Sequence, residues 1–294
     1  MALPFIEGFL DEATNTITYI LGDPETHQAA IIDPVLDFDH RTGNAATQSA
    51  DRVLKAATAG GWTVVRILET HVHADHLSGA PYIKQKTGAA VGIGARVREV
   101  QRIFRPVFNL TDLSGDGSEF DELYEDGASI PVGTLKLRVM YTPGHTPACS
   151  TYIVDVGNRP HAAFVGDTLF MPDFGTARAD FPGGDAAELF RSIGRILALP
   201  PETKLFMCHD YKAPGRDSYA WETTVAEERA ANVHAKEGTT EEAFVAMRRA
   251  RDAKLAAPLL LLPSIQVNVR AGKLPVAESN GVRYLKIPVT LTAG

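Results

Sequence analysis

The chain has 294 residues, 45% hydrophobic and 22% charged, with a formal net charge of −7. This is the balance of an ordinary globular protein that can bury a sizeable core, as one large domain or two small ones. An acidic balance without a long basic run argues against nucleic acid as a partner, and two cysteines, Cys149 and Cys208, do not suggest a disulfide framework.

The N-terminal stretch "MALPFIEGFLDEATNT" carries Glu7, Asp11 and Glu12. It has neither the basic start and apolar run of a signal peptide nor the arginines of a transit peptide, so a cytoplasmic location with free thiols is expected. "TITYILGD" (16–23) and "HQAAIIDPV" (27–35) are β-rich runs around a turn and read as a hairpin. "SADRVLKAATAGGW" (49–62) reads as a helix capped by Ser49 and stopped by two glycines. "VVRILET" (64–70) is a buried strand that runs into "HVHADH". Helices are expected over 78–87 and 95–104, with a short strand at 89–93 between them. "GIGAR" (92–96) lacks the last glycine of a dinucleotide fingerprint. The acidic, Gly-rich segment 105–130 reads as a surface loop.

"LKLRVMYTPGH" (135–145) is a strand with a Pro-Gly turn just before His145. Strands follow at 150–156 and 161–170, with Asp167 where the second ends. "GDAAELFRSIGRIL" (184–197) is a helix with a capping-box pair, Asp185 and Glu188. "KLFMCHDY" (204–211) is a strand that delivers His209. Residues 218–256 look helical, and "RRARDAK" (248–254) reads as a solvated helix face. "LAAPLLLLPSI" (255–265) holds two prolines and is too short to span a membrane. It reads as a buried strand or core segment, with "PSIQVNVRAG" extended. The alternation of strands and helices suggests layered α/β packing.

Metal-capable side chains recur at the ends of four expected strands: His71, His73, Asp75 and His76 in the pattern H-x-H-x-D-H, then His145, Asp167 and His209. Loops leaving one edge of a sheet can converge on one point. Neutral imidazole and carboxylate suit zinc, iron and manganese. The H-x-H alternation lets two imidazoles aim differently, while Asp75 and His76 can face a second position. Spacing alone leaves one metal and two metals both open. His27, His40, His161 and His234 lack such company and read as surface or hydrogen-bonded histidines.

"THVHADHLSGA", "IDPVLD", "TPGHTPACSTY", "VGDTLF", "GTARADF", "CHDY" and "PSIQVNVRAG" together resemble the persulfide dioxygenase (sulfur dioxygenase, ethylmalonic encephalopathy protein-like) branch of the metallo-β-lactamase-fold superfamily. The resemblance runs along most of the chain. It implies an αββα sandwich, a single domain over 1–294 with a C-terminal helix and strand extension from about residue 212. It also implies oxidation of glutathione persulfide by O₂ to sulfite and glutathione, in sulfur metabolism and hydrogen sulfide detoxification. One Fe(II) per chain would be held by His71, His145 and Asp167, leaving His73, Asp75, His76 and His209 to orient ligands and waters by hydrogen bonds. Two histidines and a carboxylate leave open positions for a persulfide sulfur and O₂, whereas zinc has no redox chemistry.

The alternative is a dizinc glyoxalase II-like hydrolase of glutathione thioesters, in which all seven residues ligate and Asp167 bridges. A metal or sulfur carrier without catalysis is a third reading, and the open coordination positions argue against it. A homodimer is left open. Among substrate contacts, Arg178 could clamp a glutathione carboxylate or form a salt bridge with Asp180 or Asp173. Tyr211, two residues after His209, would point the same way on a strand, and Asn268 and Arg270 are candidates to bind substrate. Cys149 and Cys208 read as small buried hydrophobes.

Overall fold

"TITYILGD" is buried at every position, which a strand achieves only when both faces of its sheet are covered. In the computed structural model, which describes residues 2–291, it follows β1 (Phe5–Asp11) as β2 (Thr16–Asp23) and pairs antiparallel with β3 (Gln28–Ile32). The hairpin is as expected. Residue 1 and residues 292–294, the ends of the expected 1–294 domain, lie outside the described residues.

Next come β4 (Val35–Asp39), β5 (Asn44–Ala46), α1 (Gln48–Ala59), β6 (Thr63–Glu69), β7 (Leu77–Ser78), α2 (Ala80–Thr87), β8 (Ala90–Gly94), α3 (Val97–Val107) and β9 (Glu122–Tyr124). The first six-stranded sheet has the order β1-β2-β3-β6-β8-β9. Its β3-β6 and β6-β8 pairs are parallel, joined by crossovers that carry α1 and α2. Then follow β10 (Ser129–Val132), β11 (Leu135–Tyr141), β12 (Ser150–Val156), β13 (Arg159–Phe164), α4 (Ala186–Leu197), β14 (Lys204–Phe206), β15 (Glu222–Thr224), α5 (Val225–Ala231), α6 (Glu241–Asp252) and α7 (Leu261–Asn268). Strands β10 to β15 form the second six-stranded sheet in sequence order, with β13-β14 its parallel pair across α4.

Strand alternation divides the apolar residues into three layers. Ile17, Tyr19 and Leu21 meet Tyr152, Val154 and Phe164 between the sheets. Ile20, Ile31 and Ile67 point the other way, into α1 and α2. Ile153, Ala163 and Leu205 face Leu189 and Ile193 of α4 and Phe244 of α6. The result is an αββα sandwich. No helix among the described residues is long and apolar enough to cross a membrane.

Several local expectations change. Ser49 lies inside α1, and its Oγ donates to Asp37 Oδ1 at 2.8 Å instead of capping the helix. Segment 105–130 buries Leu110, Leu113 and Phe120 and supplies β9, so it is more than a surface loop. Arg248, read as solvated, is buried and donates to Asp252 at 2.9 Å. The run "LLPSIQVN" is helical, not extended. Its alternation mimics a strand, but Ser264 through Asn268 are all buried against the histidine loop and the first sheet's helices. Tertiary burial on all sides overrides local β preference. From residue 212 on, the regular elements of the described residues are the strand β15 and the helices α5, α6 and α7.

Asn268 ends α7 beneath the histidine loop. Its Nδ2 donates to the carbonyls of His73 and His76 at 2.9 and 2.8 Å, and its Oδ1 accepts from Ser78 N at 2.9 Å. Asn268→Ala should leave these buried groups unpaired, at a cost on the order of 3 kcal/mol. That corresponds to a melting temperature lower by roughly 5–10 °C. Thermal unfolding checks this, and an unchanged melting temperature would mean the loop holds its shape without α7.

Candidate metal centre

Five strands, β3, β6, β11, β13 and β14, end at one rim, and the residues that follow them set the site. Strand β3 runs out at Asp33, which takes a left-handed φ of 50° and accepts from Thr70 N at 2.7 Å and Thr70 Oγ1 at 2.8 Å. This ties the end of β3 to the start of the loop after β6. His145 follows β11, Asp167 follows β13 and His209 follows β14, as the sequence suggests.

Each histidine is oriented through one ring nitrogen. His145 Nδ1 donates to the Arg178 carbonyl at 2.8 Å, and His209 Nδ1 to the Asn15 carbonyl at 3.2 Å. A carbonyl only accepts, so the proton sits on Nδ1 and Nε2 keeps its lone pair. Thr70 has given its hydroxyl hydrogen to Asp33, so it accepts from His71 Nδ1 at 3.0 Å. The same logic runs through a relay from Asp11. Thr14 donates to Asp11 at 2.6 Å, Thr16 lies 2.8 Å from Thr14 and 3.3 Å from His76 Nδ1. Thr16 therefore donates to Thr14 and accepts from His76. His73 is reversed: its Nε2 faces Asp33 Oδ1 at 3.0 Å and Glu69 Oε2 at 3.3 Å, which leaves Nδ1 free.

The freed atoms converge. His71, His145 and Asp167 place donor atoms within 4.8 Å of one another, and so do His73, Asp75, His76 and His209. Asp167 stands between the two sets. Its Oδ2 is 3.9 Å from His71 Nε2 and 3.7 Å from His145 Nε2, and its Oδ1 is 3.3 Å from His209 Nε2. Asp75 Oδ2 is 3.2 Å from His209 Nε2. Buried His71 Nε2, His73 Nδ1, His76 Nε2, His209 Nε2, Asp75 Oδ2 and Asp167 Oδ1 have no hydrogen-bond partner among the described residues. Buried polar atoms without partners are costly, so this donor set fits a bound cation. Burial pushes His71 well below the ordinary histidine range, which keeps its lone pair available. Burial opposes a charge on His73 too, but Asp33 and Glu69 outweigh it and raise its pKa.

A cavity of about 410 Å³ opens onto Asp75, His145 and Asp167. Phe170, Phe174, Phe181 and Tyr211 wall it, and residues of α6 and of the α6–α7 connection close the far side. Tyr211 stacks on the His209 ring, with centroids 5.6 Å apart at 19°. Phe170 meets the same ring edge-on at 6.3 Å.

Residues 16–209 match the metallo-β-lactamase superfamily. The chain belongs to the metallo-β-lactamase superfamily. It is 54% identical over 290 residues to a "Probable metallo-hydrolase" of Burkholderia pseudomallei, covering 97% of this chain and 98% of that protein. It is 45% identical over 288 residues to "Glyoxylase B2" of Dictyostelium discoideum (97% and 96% covered). Bovine "Persulfide dioxygenase ETHE1, mitochondrial" is 31% identical over 218 residues (74% and 70%). The chain spans 66% of the length of a "Beta-lactamase hydrolase-like protein" of Xylella fastidiosa, which is 50% identical over 291 residues, 99% of this chain. Among solved structures, ETHE1 from Myxococcus xanthus superposes with a TM-score of 0.72 at 28% identity, covering 92% of this chain and all of that one.

Within this superfamily site, the other expected contacts divide. Arg178 lines the cavity, but its guanidinium grips Asp180 at 2.6 and 2.7 Å and donates to the Ala256 carbonyl at 2.7 Å. The salt bridge is therefore with Asp180. Asp173 pairs with Arg216, which also grips Asp210. Tyr211 lines the cavity. In place of the expected substrate contacts, Asn268 spends its amide on the histidine loop, and Arg270 is buried and pairs with Asp112. Neither lines the cavity. Burial pushes the Cys149 thiol up to about 12 and raises Cys208 as well, so both stay protonated.

Three participants escaped the sequence reading. Asp33 and Glu69 hold His73, and their signal was a carboxylate at the end of each buried strand. His234, read as a surface or hydrogen-bonded histidine, is hydrogen-bonded to Thr176 and also lines the cavity. It follows Asn232, whose Nδ2 donates to the Gly175 carbonyl at 3.0 Å and to buried Glu228 at 2.6 Å. Burial raises the Glu228 pKa to about 8. The folded protein thus holds a proton there that the unfolded chain releases in the ordinary carboxylate range. Stability should be full at low pH and fall as pH rises from about 5 to about 8. Glu228→Gln should flatten that fall in denaturant unfolding across this range; parallel profiles for both proteins would contradict it.

Proposed function

We propose that the protein is an iron-dependent persulfide dioxygenase, oxidising glutathione persulfide with O₂ and water to glutathione and sulfite. One observation carries the reading: the cavity reaches His145 and Asp167 of the first set but only Asp75 of the second, whose His209 lies under Tyr211 and Phe170. The accessible face thus draws mainly on the set that buried His71 completes, two imidazoles and a carboxylate. The likeness to the bovine persulfide dioxygenase supports the same reading.

Fe(II) held there would supply the electrons that activate O₂, which zinc cannot do. The chain's own residues do the rest. Thr70 and the Arg178 carbonyl fix His71 and His145 with Nε2 toward the cation. Phe170, Phe174 and Phe181 exclude water from the sulfur's approach. Asp75, His76 and His209 would orient water at the centre by hydrogen bonds, and Asp33 and Glu69 keep His73 in place.

A second reading rests on the completeness of the other set. Asp167 Oδ1 lies 3.3 Å from His209 Nε2, a bridging arrangement that suits two zinc ions and thioester hydrolysis. The likeness to Glyoxylase B2 supports it. Metal analysis with oxygen-electrode assays separates the two. The protein as purified should hold iron near one per chain and consume O₂ with glutathione persulfide, and zinc replacement should abolish the uptake. Rapid glutathione thioester hydrolysis by a zinc-loaded protein that takes up no O₂ would put the hydrolase first.

A further inference from the structure

The far wall of the cavity carries three arginines and one histidine whose chemistry the metal centre does not use. Two of the arginines are committed: Arg178 to Asp180, and Arg248 to Asp252 and the Thr176 carbonyl. Arg251 lies three residues after Arg248 on α6, on the same side of the helix. It lines the cavity, is exposed, and has no carboxylate partner among the described residues.

His234 stands beside it. Thr176 N donates to His234 Nδ1 at 3.0 Å. A backbone N–H can only donate, so Nδ1 must accept and Nε2 must carry the proton. Nε2 has no partner among the described residues and is not sealed off, so it is a neutral donor available to the cavity. Burial and the charges of Arg251 and Arg248 hold the ring pKa down to about 4, so it stays a one-proton donor at neutral pH. Its seat is built for it: Gly175 has a φ of +105°, and a Cβ there would come 2.2 Å from Nδ1. Asn232 Oδ1 fixes the backbone by accepting from His234 N at 2.9 Å.

We infer that His234 Nε2 and the Arg251 guanidinium form a carboxylate-recognition subsite, which holds the remote carboxylate of a thiol-bearing substrate whose sulfur points at the metal centre. This deepens the dioxygenase reading and rests on it for the position of the sulfur. A charged fork beside a neutral N–H suits a carboxylate, and an anionic tail would be steered away from the acidic side of the cavity, Asp75 and Asp167.

The test is calorimetric binding of glutathione and of glutathione diethyl ester to wild type, Arg251→Gln and His234→Asn. Arg251 is exposed, so its variant should fold. Asn at 234 keeps an acceptor for Thr176 N, while its shorter amide withdraws the donor from the place where Nε2 stands. Glutathione should bind Arg251→Gln at least roughly tenfold more weakly and His234→Asn a few-fold more weakly. The ester should bind wild type as weakly as glutathione binds Arg251→Gln, with no further loss in either variant. Equal affinities of wild type and Arg251→Gln for glutathione, an equal loss for acid and ester, or no binding of glutathione to wild type would each overturn the subsite. Oxygen uptake with glutathione persulfide distinguishes the two claims. Uptake with a KM indifferent to Arg251→Gln removes the subsite and leaves the dioxygenase. Absent uptake with glutathione binding still dependent on Arg251 removes the dioxygenase and leaves the subsite.

Discussion

Every imidazole of the centre gives one nitrogen to the protein and turns the other toward the shared donor cluster. The acceptors that enforce this are the Arg178 and Asn15 carbonyls, the Thr70 and Thr16 hydroxyls, and the Asp33 and Glu69 carboxylates. The hydroxyls act as acceptors only because Asp33 and Asp11 take their hydrogens. The protein thereby decides the tautomers before any metal arrives, and with them the direction of each lone pair. What remains is a cluster of buried donor atoms that no group among the described residues satisfies. Such a cluster is costly to fold alone, so metal binding and folding stability should be linked.

The fold serves this constraint. The strands that deliver ligands lie inside the two sheets and are mostly buried toward their C-terminal ends, so these ends are held by the apolar layers on either side. The loop after β6 is less regular and needs other support. It receives that from Asp33 at one side and Asn268 at the other. The C-terminal helices then do two jobs. Helix α7 braces the loop from behind, while α6 and the α5–α6 connection wall the cavity in front. Arg178 joins these parts, since its carbonyl orients His145 and its guanidinium reaches Ala256.

The strands and the converging ligands were legible because each carries a strong local signal: an apolar run, then a histidine or aspartate at its end. The C-terminal region was not. "PSIQVNVRAG" has the alternation of a strand and folds as a helix because it is buried all round. Asn268 and Arg270 looked like substrate contacts because they are polar residues in a family motif. Their partners, the carbonyls of His73 and His76 and the carboxylate of Asp112, are far away in sequence and are found only when the chain is folded. His234 was invisible for the same reason. Its role comes from Thr176 and Gly175, some sixty residues earlier.

The count of metals follows from which donors act as ligands, and the central claim is that His71, His145 and Asp167 hold one. Asp167→Asn removes a charged ligand and should lose the metal. On the proposed one-iron reading His209→Asn removes a residue that only orients, so affinity should weaken by about 10–100-fold and most of the metal should stay at saturating iron. The direct measurement is metal per chain for wild type and both variants after identical purification. The account predicts about one iron in wild type, little in Asp167→Asn and most of it in His209→Asn. Two metals in wild type, falling to one in His209→Asn, would contradict it.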